Sequence, residues 1–369
     1  MELTVLRLSP AGVTVAENRE NTMRFMLFAL AALASAAHAA PRPVIIGYLP
    51  TYKDYNATLD ATDLGRVTHI NIAFANPAPD GSMVTGDTMA CSDKFGGGMV
   101  PLADIRAIVA RAHKAGVKVL VSLGGGEIPA CSGDWVTLLG ADMRAVTVGN
   151  ILQFVRDNGL DGVDIDLEWN VLTAIDTAGE YVPFIAELSA GLKKRHGLLT
   201  CATASNVGGS VPVGSVPYFD YVNIMSYDGV GYGEDGNIYG PPGGENASLA
   251  MAQADIAYWQ ARGVTRQQLV LGVPFYGHAF GTYRGDEHDY RDLLAAYGPA
   301  TAENDLIDKA CAGCSYITYN GRPTIRAKAA LARREGAGVM IWELAADARG
   351  ADSLLEAIDD TLADDEGAH

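Results

Sequence analysis

The chain is short of cysteine, short of basic charge and short of long hydrophobic runs. Five cysteines in 369 residues cannot staple a disulfide scaffold, and their spacing is not that of a zinc ribbon. Twenty-seven Lys and Arg face 44 Asp and Glu, a formal charge of −17. Such a chain repels phosphate backbones and anionic lipid head groups, so nucleic acid and membrane surface are poor partners. Beyond Ala40 no run reaches the roughly 18 apolar residues of a membrane span. No G-x-G-x-x-G follows the first strand signal, no Pro/Thr-rich linker divides the chain, and no repeat has a solenoid period.

What is present is apolar content: 49% hydrophobic against 19% charged residues, enough for a large buried core and too much for disorder. Without a linker or a second compositional block, one catalytic-sized domain over residues 40–369 is the economical organisation. The residues before it read as an address label. Met23 to Ala40 carry a basic start at Arg24, an apolar run from Phe25 to Ala34, and small residues at Ala37-His38-Ala39 where a signal peptidase needs them. The run is too short for a permanent span. An exported protein, extracellular or periplasmic, is expected, with a mature start near Ala40. Met1 to Thr22 have no targeting logic and read as an upstream mis-start; an uncleaved anchor is the alternative.

Export permits disulfides. Cys91 and Cys131 lie in loops after consecutive strands and can meet. Cys311 and Cys314 form a C-x-x-C in a polar loop, either a local bridge or half a metal site with no visible second half. Cys201 sits in an apolar run and reads as core.

Short β-branched or apolar runs recur at Val44–Leu49, Thr68–Phe74, Lys118–Ser122, Gly162–Asp166, Leu199–Ala204, Tyr221–Met225, Leu269–Val273 and Gly338–Ile341. Helical periodicity lies between them, at Leu102–Ala115, Val146–Asn158, Tyr181–His196, Ala247–Arg262 and Ile325–Glu335. Strand, helix, strand, repeated eight times, predicts a closed (β/α)8 barrel of the α/β class, with an open doubly wound sheet as the alternative. The long connection between the seventh and eighth strands predicts a small inserted lobe at about 279–320.

The fourth strand carries the chemistry. It reads Asp161-Gly162-Val163-Asp164-Ile165-Asp166-Leu167-Glu168-Trp169. Alternation puts Asp164, Asp166 and Glu168 on one face and Val163, Ile165 and Leu167 on the other. The apolar set suits the layer under the helices, so the acids point into the barrel, a place usually filled by branched apolar residues. Alternate residues are only ~6.6 Å apart, so three carboxylates there repel one another and lose water. Burial and like charge both favour the neutral acid, so at least one carboxyl should hold a proton near neutral pH, as a general acid must. Glu168 is nearest the C-terminal end, where barrel enzymes place catalysis. A metal cage lacks an adjacent His cluster and the loop glycine of a calcium hand. A salt-bridged core lacks an inward Arg or Lys on neighbouring strands. No metal and no cofactor are called for.

Asp161, Asp164, Asp166 and Glu168 meet the D-x-x-D-x-D-x-E signature of glycoside hydrolase family 18, the chitinases, which the chain resembles over nearly all of residues 43–365. Ser122-Leu123-Gly124-Gly125 is similar to the family's S-x-G-G, and Met225-Ser226-Tyr227-Asp228 to its M-x-Y-D. Gly272-Val273-Pro274-Phe275-Tyr276-Gly277 marks the seventh strand and Val339-Met340-Ile341-Trp342-Glu343 the eighth. The resemblance implies retaining, substrate-assisted hydrolysis of β-1,4-linked N-acetylglucosamine, outside the two-carboxylate scheme. Glu168 would protonate the leaving oxygen and then activate water. Asp166 would accept from the acetamide N–H, Asp164 would share a proton with Asp166, Tyr227 would donate to the acetamide oxygen, and Asp228 would be a supporting carboxylate. Trp342 would floor the cleaved-sugar subsite. Tyr48, Phe74, Trp169 and Tyr276 also sit at strand ends as sugar contacts or rim packing, and Gly125 and Met225 complete the expected lining. Trp259 reads as core.

The implied partner is chitin or chitooligosaccharide, bound by a monomer. Two departures touch the flanking subsites. Gly126-Glu127 stand where many relatives have an aromatic, and His278 stands where many have Arg. The connection before the eighth strand is short for a relative with a full inserted domain, so the cleft is expected to be shallow and to favour short oligosaccharides over crystalline chitin. The alternatives are a family member acting on N-glycan cores or peptidoglycan, or a non-catalytic chitin-binding lectin. The lectin relatives typically lose the acid, and Glu168, Asp166 and Tyr227 are all present here.

Overall fold

The computed structural model describes residues 42–92, 98–206, 208–233, 236–284 and 288–363. The expected signal segment, residues 23–39, lies outside them. Eight strands pair in chain order and close on themselves: β1 (Val44–Pro50), β2 (His69–Ala75), β3 (Lys118–Gly125), β4 (Gly162–Leu167), β5 (Leu198–Thr203), β6 (Tyr221–Ile224), β7 (Leu269–Pro274) and β8 (Gly338–Trp342). All pairings are parallel, and β8 seals the ring against β1 with Gly338 opposite Val44. This is the expected (β/α)8 barrel.

The period of two sorts the side chains. Outward residues such as Ile72, Val121, Val163, Ile165, Val222, Leu271 and Ile341 are at most 1% exposed and form one cluster with Ile108, Phe154, Phe184 and Ile325 from the surrounding helices. Each such burial contributes roughly 1.5–3 kcal/mol, so this outer layer holds the fold together. Its helices include Leu102–Lys114, Arg144–Asp157, Tyr181–Lys193, Leu249–Gln260, Arg322–Glu335 and Leu354–Ala363. Local chemistry sets their ends. Ser248 accepts from Met251 N at the start of Leu249–Gln260, and Asp347 accepts from Leu354 N and Leu355 N at the start of the last helix.

One crossover departs from the repeated pattern. Between β5 and β6 the chain forms a 3-10 helix, Val213–Tyr218, rather than an α-helix. Pro212 precedes it and Pro217 lies inside it. Each removes a backbone donor that a continuing α-helix would use.

The insertion between β7 and β8 begins at Tyr276 rather than near residue 279. It is an antiparallel sheet in the order His288–Asp289, Tyr276–Phe280, Tyr316–Thr318, Leu306–Ile307, with a helix at Tyr290–Tyr297. Lys53 in the loop after β1 ties it to the barrel, reaching Asp289 at 3.2 Å and Glu343, just past β8, at 2.5 Å. Cys91 and Cys131 are bonded, with Cα atoms 5.6 Å apart. Cys311 and Cys314 form a local bridge, which removes the half-metal-site alternative, and Cys201 is free and buried. Among the described residues no helix is long and apolar enough to cross a membrane, and no cluster of His, Cys, Asp and Glu is arranged to hold a metal ion.

Candidate active site

Polar residues cluster on the inner faces of β2 to β6. Asp164 is fully buried at the barrel axis, and four donors from four strands converge on it. Tyr48 Oη from β1 and Ser122 Oγ from β3 donate to Oδ2 at 2.6 and 2.7 Å. Thr200 Oγ1 from β5 and Asn223 Nδ2 from β6 donate to Oδ1, the latter at 3.2 Å. Burial pushes the Asp164 carboxyl above its usual range, while the four hydrogen bonds pull the other way. The titration shift expected from the sequence therefore has its physical cause at this residue.

Asp166, one step nearer the mouth, is 3% exposed. Glu168 lies just past the strand end and is half-buried. The row rises from sealed to open along one face, as alternation requires. Asp161, the first acid of the signature, is elsewhere. At the barrel floor its Oδ2 contacts His113 Nε2 and accepts from Val119 N, both at 2.7 Å, fastening β4 to β3 and the preceding helix.

Glycines give the row its space. Gly125 sits at φ +99°, and a Cβ there would come within 2.8 Å of the Phe74 ring. A Cβ on Gly126 would lie 3.3 Å from Glu168 Oε1. A side chain at this departure from the family pattern would thus need Glu168 to give by a few tenths of an ångström.

Tyr227 follows β6 and is 8% exposed. Burial first, then the charges of Asp166, Asp228, Glu168 and Asp164, push its phenol well up, so it remains a proton donor. Its ring meets Tyr276 edge to face, with centroids 6.2 Å apart. Asp228 stands at φ +57°. Its Oδ1 accepts from Tyr276 Oη and contacts His278 Nε2 at 2.8 Å. Met225 packs, half-buried, beside these rings.

The aromatics divide by exposure. Trp342 is half-buried, stacked on Phe74 at 5.6 Å and tilted against Tyr48 at 5.3 Å. Phe74 is 7% exposed, Tyr276 4% and Tyr48 1%, so these three support the wall more than they face the cleft. Tyr48 in particular spends its hydroxyl on Asp164. Trp169, directly after Glu168, is 44% exposed at φ +48°, unusual for so large a residue. Trp259 is fully buried, as expected.

Sequence reasoning did not single out Thr200, Asn223 or Asn71. The signal was there: each is a polar residue at an inward position of an otherwise apolar strand. A groove of about 1310 Å³, lined by Asp54, Arg66, Arg291, Asp347 and Glu356, lies apart from the acid row. Its opposite charges interleave, and it presents none of the chemistry of the barrel mouth.

A model of the glycosyl hydrolases family 18 matches residues 44–347. The chain belongs to that family. The match opens on the first residue of β1 and closes past β8, so it takes in the barrel, the acid row and the lobe. Among family 18 relatives, Chitinase 1 of Aphanocladium album is 26% identical over 364 residues, covering 84% of this chain and 82% of that one. The GH18 chitinase ChiB of Flavobacterium johnsoniae superposes with a TM-score of 0.72 at 31% identity, covering 88% of this chain and 94% of that one. A chitinase from Bacteroides thetaiotaomicron gives 0.73 at 26% identity, covering 89% and 99%. The chain is therefore a glycoside hydrolase.

Proposed function

We propose that this family 18 hydrolase is an exported chitinase that cuts β-1,4-linked N-acetylglucosamine chains by substrate-assisted, retaining hydrolysis. The observation that carries the reading is the graded inner row. Glu168 at the mouth is half-buried and open to a substrate, while Asp166 and Asp164 below it are closed off from solvent. The substrate class follows the chitinases to which the chain is similar.

In the first step Glu168 gives its proton to the leaving oxygen as the C–O bond breaks. The acetamide oxygen of the same sugar attacks the anomeric carbon and closes an oxazolinium ion. Asp166 accepts from the acetamide N–H and faces the positive charge. Tyr227 Oη donates to the acetamide oxygen. In the second step the Glu168 carboxylate takes a proton from water, which opens the ring from the face the leaving group left. Configuration is retained. Asp164 acts through Asp166, its neighbour on the same face of β4. Its four donors come from rigid strands, so the pair is preorganised before substrate arrives.

Trp342 floors the subsite of the cleaved sugar, with Phe74 and Tyr48 beneath it. Trp169, next to Glu168 in the chain, offers an exposed face. The small lobe and Gly126-Glu127 suit soluble oligomers better than crystalline chitin. The export signal is carried by the residues 23–39 pattern, and a mature N-terminus near Ala40 on secreted material tests it.

The deciding experiment is hydrolysis of the N-acetylglucosamine hexamer, followed by anomer and length analysis. The β-anomer should form first, and an oxazoline mimic should inhibit strongly. First release of the α-anomer excludes the acetamide mechanism. An uncut hexamer excludes the substrate class.

A further inference from the structure

Tyr227 lies on irregular chain after β6, yet its hydroxyl must meet one acetamide oxygen. Both neighbours in sequence are tethered. Ser226, fully buried, donates Oγ to Asp255 Oδ2 at 2.6 Å. Asp228 N donates to Asn246 Oδ1 at 2.9 Å, and Asn246 Nδ2 donates to Tyr276 O at 3.2 Å.

The first tether ends on a buried acid, and the second runs beside a buried amide and amine. Asp255, on helix Leu249–Gln260, is 8% exposed. Lys328, on the packed neighbour Arg322–Glu335, is fully buried and donates Nζ to Asn320 Oδ1 at 2.8 Å. Asn320 Nδ2 in turn donates to Ala247 O at 2.9 Å, next to Asn246. Burial raises the Asp255 carboxyl, with Ser226 and Lys328 opposing, and burial lowers Lys328 to about 7. An acid and an amine inside an otherwise apolar helix layer add little stability, since packed apolar residues would do as well or better. Their placement makes sense through what they hold.

We infer that Asp255 is a positioning residue: held on helix Leu249–Gln260, it fixes Ser226 and thereby aims the Tyr227 hydroxyl at the reacting acetamide. This rests on the proposed chemistry, and a double-mutant cycle separates the two. Hexamer hydrolysis is measured for wild type, Ser226→Ala, Asp255→Asn and Tyr227→Phe, and for each of the first two combined with Tyr227→Phe. Ser226→Ala and Asp255→Asn should each lower kcat about tenfold with KM within twofold. In the Tyr227→Phe background either change should alter kcat less than twofold. Ser226→Thr, which keeps the hydroxyl, should recover most of the rate. Equal falls in both backgrounds, or no fall at all, overturn the inference while leaving the chemistry standing. Should Asp255→Asn not fold, the milder Ser226→Ala decides alone. Normal turnover by Tyr227→Phe, or an inactive wild type, removes the proposed chemistry and the inference with it.

Discussion

The two faces of one strand do opposite things. On β4, Val163 and Ile165 point outward and are sealed among helix side chains, while Asp164 and Asp166 point inward and are buried, Asp164 among three hydroxyls and an amide. Burial is equal on both faces, but its consequences are not. Outside, removal from water is the stabilising event. Inside, it is a cost, offset at Asp164 by four directed donors. A barrel interior is usually a second apolar core. Here β7, β8 and β1 keep that character with Val270, Met340 and Ile46, and the inner faces of β2 to β6 are polar. Stability and catalysis are therefore separable by face, and substitutions can test that.

The largest contrast should come from Glu168→Gln against Ile165→Ala. Removing the general acid should cut hexamer turnover by about 10²–10⁴-fold while leaving the unfolding midpoint nearly unchanged. Ile165→Ala should lose about 2–5 kcal/mol in urea unfolding, with the folded fraction turning over within a few-fold of wild type. A stable but active Glu168→Gln, or an Ile165→Ala that kills activity without destabilising, would break the division.

The barrel floor should give the next largest effect, because it is inward yet remote from the acids. His69 is 5% exposed, with Nδ1 on Thr68 and the ring edge-on to Tyr221. Burial, helped by Lys118, lowers its pKa from 6.5 to about 4. The unfolded chain thus binds the extra proton between those values. Stability is fully present above about 6.5 and drains as pH falls toward 4, by about 3 kcal/mol at most. In His69→Gln the decline over this window should be shallower, measured by urea titrations at pH 7 and 4.5. Parallel declines would show that the imidazole is not held neutral.

Much of this division was legible in the sequence, because alternation is a rule about every second residue. The eight strands came from short β-branched or apolar runs, the inward acids from alternation, and Trp342 from the family resemblance. β3 runs to Gly125 rather than Ser122 because its last two glycines read as loop while their backbone stays paired with β4. Tyr48 read as a sugar contact because a strand-end aromatic shows its ring and not its hydroxyl's partner. Asp164 lies 116 positions away in the chain. Separation along the chain also hid the partners of Thr200 and Asn223, 36 and 59 positions from Asp164, and of Asp255, 29 positions from Ser226. Local pattern finds which face a side chain takes, and only the closed ring shows what it meets there.

The finest test uses two neighbours on β3. Val121, outward, is 1% exposed, and Ser122, inward, is fully buried with its hydroxyl on Asp164 Oδ2. Val121→Ala removes apolar contact and should cost about 2 kcal/mol at any pH, with the pH profile of kcat unmoved. Ser122→Ala removes one of two donors to that oxygen and should cost about 1 kcal/mol near neutrality. The lost hydrogen bond favoured the ionised form, so the Asp164 carboxyl should rise further. The variant's native state then holds its proton more tightly, and the gap to wild type should narrow as pH falls. By the same sign, the acid limb of kcat should move to higher pH in Ser122→Ala alone. Matching pH profiles for the two variants would mean that Asp164 is silent in the reaction and that its four donors only satisfy a buried group.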